Sequence, residues 1–270
     1  MRQRIITAIV FGAAMLGGVF GGNGYFQILC LLIITGCLWE LFGLLLPDEP
    51  KKTTRKVWGI LVGLLPLLPL VENILLSQPG MVYFLVLLFF LSLVFELFLH
   101  SINPFQNVAI YLLGFFYICF PFVFLNWIAY DDSDLDYSPL RVFGLLLLIW
   151  TNDTMAYFIG SQLGRRKLFE RISPKKTWEG TIGGGICTVL VAWGLSFIIK
   201  DFSQTQWLVL GAVAAVFGTL GDLVESMLKR SVGVKDSGNL LPGHGGLLDR
   251  FDAFIFALPF FWLALQIFKG

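Results

Sequence analysis

The chain has 270 residues, 57% of them hydrophobic and 14% charged, with 27 phenylalanines and a formal net charge of +1. Soluble domains carry about 25% charged residues, so the composition excludes that class and points to an integral membrane protein. The near-neutral charge argues against nucleic acid as a partner, and no basic groove interleaved with aromatic residues is visible.

A helix needs about 20 apolar residues to cross ~30 Å of hydrocarbon. Runs of that kind fall at 5–20, 25–46, 57–76, 80–99, 108–129, 140–163, 180–199, 206–228 and 251–268. They predict an all-α polytopic bundle of nine transmembrane helices forming a single membrane domain over 1–270, with N-terminal helices in 1–139 and C-terminal helices and cytoplasmic loops in 140–270. The first run follows Arg2 and Arg4 as a signal peptide would. Gly17, Gly18, Gly21 and Gly22 offer no small-x-small cleavage site ahead of a soluble body, so it reads as a retained helix.

With the N-terminus inside, the cytoplasmic segments carry Arg2, Arg4, Lys51, Lys52, Arg55, Lys56, Arg165, Arg166, Lys167, Arg171, Lys175, Lys176, Lys229, Arg230, Lys235 and Arg250. Of the 19 basic residues only Arg141, Lys200 and Lys269 fall outside, together with the acidic turn Asp131, Asp132, Asp134 and Asp136. The expected location is the inner (plasma) membrane, with the functional site on the cytoplasmic face. The 164–179 and 229–250 loops would also be basic if they bound an anionic substrate, and both causes give the same side. Cys30, Cys37, Cys119 and Cys187 lie within predicted spans without metal-ligand spacing and read as buried free thiols.

In the sixth run Asp153 lies ~18 Å from the cytoplasmic end near Arg165, at 1.5 Å per residue. It either contacts the site or pairs within the bundle. Ala156, Gly160 and Gly164 form a small-residue row that lets another helix approach closely. The segment Ser173-Pro-Lys-Lys-Thr-Trp-Glu-Gly180 sets Lys175 and Lys176 at the mouth of the seventh helix, as substrate contacts or as solvated boundary lysines. Glu40 and Glu96, each near a cytoplasmic helix end, either snorkel or line the same cavity.

In the eighth run Asp222, Glu225, Ser226 and Lys229 follow at i, i+3, i+4 and i+7, one face of a helix. A carboxylate at bilayer depth costs roughly 2.5–3.5 kcal/mol on insertion scales, so it should face a cavity, a cation or a partner charge. An intrahelical pair with Lys229 is the plainer alternative. After Arg230 the breakers Gly233, Gly238, Pro242, Gly243, Gly245 and Gly246 impose a loop. It ends in Asp249, Arg250 and Asp252 at the start of the ninth helix. Asp249 and Asp252, at i and i+3, either cap the helix or converge on a metal, for which hard oxygen ligands suit Mg²⁺. Carboxylates for metal, Lys and Arg for phosphate and a glycine-rich turn together indicate metal-dependent phosphoryl or nucleotidyl transfer, or an ion site. They do not name a substrate.

Residues 226–252 resemble the signature of the phosphatidate cytidylyltransferases, also called CDP-diacylglycerol synthases. Its fixed positions are all present: Ser226, Lys229, Arg230, Lys235, Asp236, Gly238, Pro242, His244, Gly245, Gly246, Asp249, Arg250 and Asp252. The 153–164 and 173–180 segments are similar too, whereas the N-terminal half matches only in being helical and apolar. The resemblance implies a membrane enzyme, commonly a homodimer, that joins CTP and phosphatidate into CDP-diacylglycerol and releases pyrophosphate. It implies Asp222 and Asp249 as metal-binding carboxylates for Mg²⁺, with K⁺ as a second ion. Asp222, Lys229, Asp249 and Asp252 are then the candidate catalytic residues. Asp153, Lys175, Lys176, Ser226, Arg230, Lys235, His244, Gly245, Gly246 and Arg250 are the candidate substrate-binding residues. A secondary transporter would also bury Asp153 and Asp222, but no inverted repeat is visible and the charges crowd one side. A CTP-dependent lipid kinase, or a cytidylyltransferase for an isoprenoid-ether lipid phosphate, would use the same site.

Overall fold

The computed structural model describes residues 2–48, 51–65, 78–130, 136–241, 243 and 245–268, with the side chains of 2–5 and 78–82 left aside. The elements are α1 (Arg2–Phe20), α2 (Asn23–Leu45), α3 (Lys52–Leu64), α4 (Gln78–Leu99), α5 (Pro104–Ala129), α6 (Pro139–Leu163), β1 (Lys167–Phe169), β2 (Ser173–Thr177), α7 (Trp178–Ile198), α8 (Gln204–Ser231) and α9 (Leu248–Ile267). Among the described residues α2, α5, α6, α7, α8 and α9 are long and apolar enough to cross a membrane. Shorter apolar stretches occupy Ile6–Phe20 and Tyr83–Leu99. Part of the expected 57–76 span lies outside the described residues, as do Asp131, Asp132, Asp134, Pro242, His244 and Lys269.

The 164–179 segment, expected as a loop, is an antiparallel hairpin pairing Lys167 with Thr177 and Phe169 with Ser173. Its base is closed by Trp178 N–H donating to Arg166 O at 2.9 Å, and by Glu179 accepting from Arg165 N at 3.0 Å. Thr177 caps α7, its hydroxyl accepting from Gly180 N at 3.2 Å. The protein is an all-α membrane bundle as expected, with this two-stranded hairpin giving a charged segment defined backbone partners outside any helix.

Helix ends and irregularities follow local chemistry. Ser203 and Gln206 form a reciprocal capping box at the start of α8. In α5 a π turn at Phe115–Cys119 comes just before Pro121. Proline lacks an N–H and crowds the carbonyl four residues earlier, and a wider turn relieves that clash. A second π turn, Ala214–Gly218, interrupts α8 and precedes Thr219, whose hydroxyl donates to Ala215 O at 2.8 Å and accepts from Asn152 Nδ2 at 3.2 Å.

The expected small-residue row of α6 is where α7 packs. A Cβ on Gly180 would stand 2.6 Å from Ala156 O and 2.8 Å from Gly160 Cα. Helices α8 and α9 touch as closely at Gly221, where a Cβ would meet Asp252 O at 2.8 Å. One contiguous apolar core runs from Met15 in α1 to Leu265 in α9. The face of α7 bearing Ile182, Ile186, Leu190 and Trp193 is exposed, as suits a lipid-facing helix.

The bundle has two distinct polar ends. At one, Tyr137 Oη donates to Val19 O at 2.8 Å, Gln27 Nε2 donates to Asn126 Oδ1 at 2.7 Å, and Arg141 pairs with Asp201 at 3.3 Å. At the other lie the hairpin, the 232–247 loop and the C-terminal part of α2. Arg55, counted above among the basic residues of the cytoplasmic segments, is buried, with Nε 3.2 Å from Glu96 Oε2. Glu96 also accepts from Asn107 Nδ2 at 3.1 Å and from Tyr111. It neither snorkels nor joins the cavity, because that network satisfies it inside the N-terminal helices. Cys30, Cys37 and Cys119 are buried free thiols, and Cys187 is free and half-buried.

Gly180→Leu should lower stability in detergent by about 1–3 kcal/mol, as overpacking does. Gly194→Leu on the same helix, where a Cβ meets nothing within 4 Å, should leave it unchanged; thermal unfolding of both variants checks this.

Candidate active site

The face of α8 predicted from sequence is realised, and the contact at Gly221 sets it against α9. Ligand oxygens of Asp222, Glu225 and Asp252 lie within 4.8 Å of one another. Glu225 and Asp252 are buried, and Asp222 is half-buried. Like charges so close in an apolar bundle repel strongly and need cations. Lys176 pairs with Asp222 and Lys229 with Glu225. Lys229 Nζ also donates to Asp249 Oδ1 at 2.6 Å. The intrahelical pair weighed as the plainer reading is thus present, but as one edge of a larger network. Asp153 lies in electrostatic range of Lys176, Asp222 and Arg250.

Of these groups Asp153, Asp249 and Asp252 line a cavity of about 300 Å³. Trp150, Asp153 and Thr154 of α6 form one wall, Asp249, Arg250 and Asp252 of α9 another, and Thr7, Ala8 and Phe11 of α1 a third. Asp153 is deep along its helix yet exposed into this cavity, so of its two expected roles it takes the one facing the site. Leu241 brings the loop to the rim.

The loop is held by α9. Asp249 accepts from Ser237 N at 3.0 Å and Gly246 N at 2.8 Å while it pairs with Lys229. Gly245 adopts a positive φ of 83°, and a Cβ there would also crowd Asp249 Oδ2 at 3.0 Å. Gly246 is buried behind it.

Among the other expected residues the structure discriminates. Lys176 and Lys175 alternate along β2, so Lys176 reaches Asp222 and Lys175 is exposed. Ser226 donates to Asp222 Oδ1 at 3.4 Å, one turn away on α8. Arg230 is exposed, its Nη1 donating to Val234 O at 3.0 Å and its Nε to Ile172 O at 3.5 Å, which ties α8 to the hairpin. Lys235 is exposed on the loop. Arg250 is exposed at the cavity wall. His244 lies outside the described residues.

Two parts of the site were not among the candidate site residues. Glu225, placed on the polar face of α8 by its i+3 spacing from Asp222, belongs to the carboxylate cluster. Helix α1 supplies a cavity wall, which no local pattern announces because its residues there are apolar or small.

The donor set fits a hard divalent cation. Three carboxylates converge, and Glu225 Oε1 makes no hydrogen bond among the described residues. Among the described residues two lysines pair with the group, and Lys229 is shared with Asp249. Chemically, the arrangement can hold metal and polyphosphate together at one end of an apolar bundle, beside a cavity bordered by α6 and α9, which are long and apolar enough to cross a membrane.

Comparison with known proteins extends beyond the signature. Residues 2–268 match the cytidylyltransferase family. A Bacillus subtilis (strain 168) protein named phosphatidate cytidylyltransferase is 36% identical over 280 residues, covering 100% of this chain and 99% of that protein. Proteins of the same name from Staphylococcus aureus (strain COL) and Staphylococcus haemolyticus are 51% and 53% identical over 115 residues, each spanning 42% of this chain and 44% of the relative. The relationship reaches through the N-terminal half, where the sequence resemblance had stopped at helical and apolar character. This chain belongs to the cytidylyltransferase family.

Proposed function

We propose that this chain is a nucleotidyltransferase that moves CMP from CTP to phosphatidate, giving CDP-diacylglycerol and pyrophosphate in phospholipid biosynthesis. The observation that carries the reading is the full-length relationship to a protein named for that activity. The site adds its own support: a carboxylate cluster, cationic side chains from three elements and a cavity at the bundle end suit a soluble polyphosphate and a lipid phosphate together.

In the reaction a phosphate oxygen of phosphatidate attacks the α-phosphorus of CTP in line. The new P–O bond forms as the bond to the β-phosphate oxygen breaks, and the electron pair leaves with pyrophosphate. Lys229 exchanges its contacts with Asp249 and Glu225 for phosphate oxygens, and Lys176 does the same from Asp222. Arg250 faces the cavity beside them and neutralises phosphate charge. Charge-assisted hydrogen bonds to phosphate offset the ion pairs that the lysines give up. Asp249 holds the glycine-rich loop whose backbone donors approach the nucleotide. Lys175, Lys235 and His244 belong to the proposed substrate contacts by resemblance alone.

For the metal we propose Asp222 and Asp249 as ligands of Mg²⁺, with Asp252 and Glu225 added by the cluster geometry and K⁺ as a second ion beside them. Bound there, Mg²⁺ would neutralise triphosphate charge at the reacting phosphorus. We read the chain as one membrane domain of nine spans, working as a homodimer in the plasma membrane. Its N-terminus, hairpin and 232–247 loop face the cytoplasm, a placement supported by the basic residues gathered at that end.

Two experiments test this. In detergent or liposomes with phosphatidate and α-labelled CTP, Asp222→Asn and Asp249→Asn should each reduce label in the lipid phase by about 10²-fold or more, since an amide lacks the negative charge that holds Mg²⁺. The double variant should lose far less than the product of the single losses. Activity persisting in chelator would overturn the metal assignment, and lipid labelling from γ-labelled instead of α-labelled CTP would overturn nucleotidyl transfer. In a background lacking native cysteines, Lys235→Cys and Asp136→Cys should react with an impermeant thiol reagent from opposite sides of sealed membranes; reaction from the same side contradicts the orientation.

A further inference from the structure

Helix α2 is apolar throughout its membrane-grade length, yet it carries Glu40 fully enclosed, 6% exposed. Burying a carboxylate costs several kcal/mol unless hydrogen bonds and dipoles compensate. Here the compensation comes from residues about 200 positions away in sequence. Glu40 accepts from Leu247 N at 3.0 Å, Leu248 N at 2.9 Å and Ser237 Oγ at 3.0 Å. Leu247 and Leu248 open α9, where backbone N–H groups lack intrahelical partners, and no local side chain caps that end. Glu40 is the cap, delivered by another helix and aligned with the positive end of the α9 dipole.

The glycines of the loop are fitted to this carboxylate. A Cβ on Gly246 would stand 1.9 Å from Ser237 Oγ and 2.5 Å from Glu40 Oε2, and one on Gly238 2.5 Å from Glu40 Oε1. The same two limbs of the loop are gripped from the other side by Asp249, through Ser237 N and Gly246 N. Ser237 and the 246–247 segment are therefore clamped between two carboxylates. Asp249 in turn holds Lys229.

We infer that Glu40 is a positioning residue for the transfer reaction: through Ser237 and the first turn of α9 it fixes where Asp249 and Lys229 meet the nucleotide. The inference rests on the reading that Asp249 and Lys229 serve CTP. It also accounts for why a helix in the N-terminal half, away from the signature, carries a charge at all. Glutamine offers one acceptor oxygen where the carboxylate offers two, so Glu40→Gln must abandon at least one buried donor.

The test compares wild type, Glu40→Gln, Glu40→Asp, Ser237→Ala and Glu96→Gln, the last a buried carboxylate variant outside the site. Measured are turnover with phosphatidate and CTP, equilibrium binding of labelled CTP without lipid, and hydrogen exchange at the amides of 237 and 246–248. Glu40→Gln should lower turnover and CTP affinity by about tenfold or more, the worth of one charge-assisted hydrogen bond, and should speed exchange at those amides. Glu40→Asp should recover part of each. Glu96→Gln should lose thermal stability without changing CTP affinity or loop exchange. If Glu40→Gln does not accumulate, Ser237→Ala removes one donor alone and should weaken CTP binding about threefold or more. Wild-type CTP affinity in a folded Glu40→Gln or in Ser237→Ala, or equal losses in Glu96→Gln, would overturn the inference. A wild-type protein that makes no CDP-diacylglycerol would instead overturn the functional reading beneath it.

Discussion

The constraint on which the structure turns is the crowding of acidic groups inside an apolar bundle. Asp222, Glu225 and Asp252 converge within 4.8 Å, and at low dielectric such a group is stable only with cations supplied. Two cations come from the protein by separate routes, Lys176 on a hairpin and Lys229 on the same helix. A site built this way is poised to take up more positive charge, which in the proposed reaction a metal would bring together with the polyphosphate that the lysines bind.

Close backbone approach makes the crowding possible. At Gly221 no side chain separates α8 from α9, so carboxylates three residues apart on one helix face a third on its neighbour. The row of Ala156 and Gly160 does the same for α6 and α7, which sets Asp153 within electrostatic range of Lys176 on the hairpin. The glycine-rich loop reaches the cavity at Leu241. Hydrogen bonds to Asp249 and Glu40 fix its backbone, and Leu247 packs into the core against Gly36 of α2.

Much of this was legible in the sequence because it depends on short spacings. The i, i+3, i+7 face of α8 and the small-residue row of α6 need only helical periodicity, and the membrane class needs only composition. What the sequence did not announce depends on contacts between distant segments. Nothing near Glu40 indicates that its partners are Leu247 and Leu248. Arg55 looked like one more boundary cation, and only the fold puts it beside Glu96. Lys175 and Lys176 were inseparable until β2 placed them on opposite faces, because a polar segment rich in Pro, Lys and Ser reads as loop. Glu225 was within reach of the spacing argument, yet its neighbour Lys229 made an ordinary salt bridge the simpler expectation.

The central claim is that the carboxylates of α8 and α9 share a divalent cation beside the nucleotide. Anomalous diffraction from crystals of the protein grown with Mn²⁺ and a non-reactive CTP analogue addresses it directly. The account predicts a peak at coordination distance, roughly 2.0–2.3 Å, from Asp222 and from at least one carboxylate of α9, with Lys229 turned from Asp249 toward phosphate. A nucleotide bound with Lys229 still on Asp249 and no anomalous peak between the two helices would contradict it.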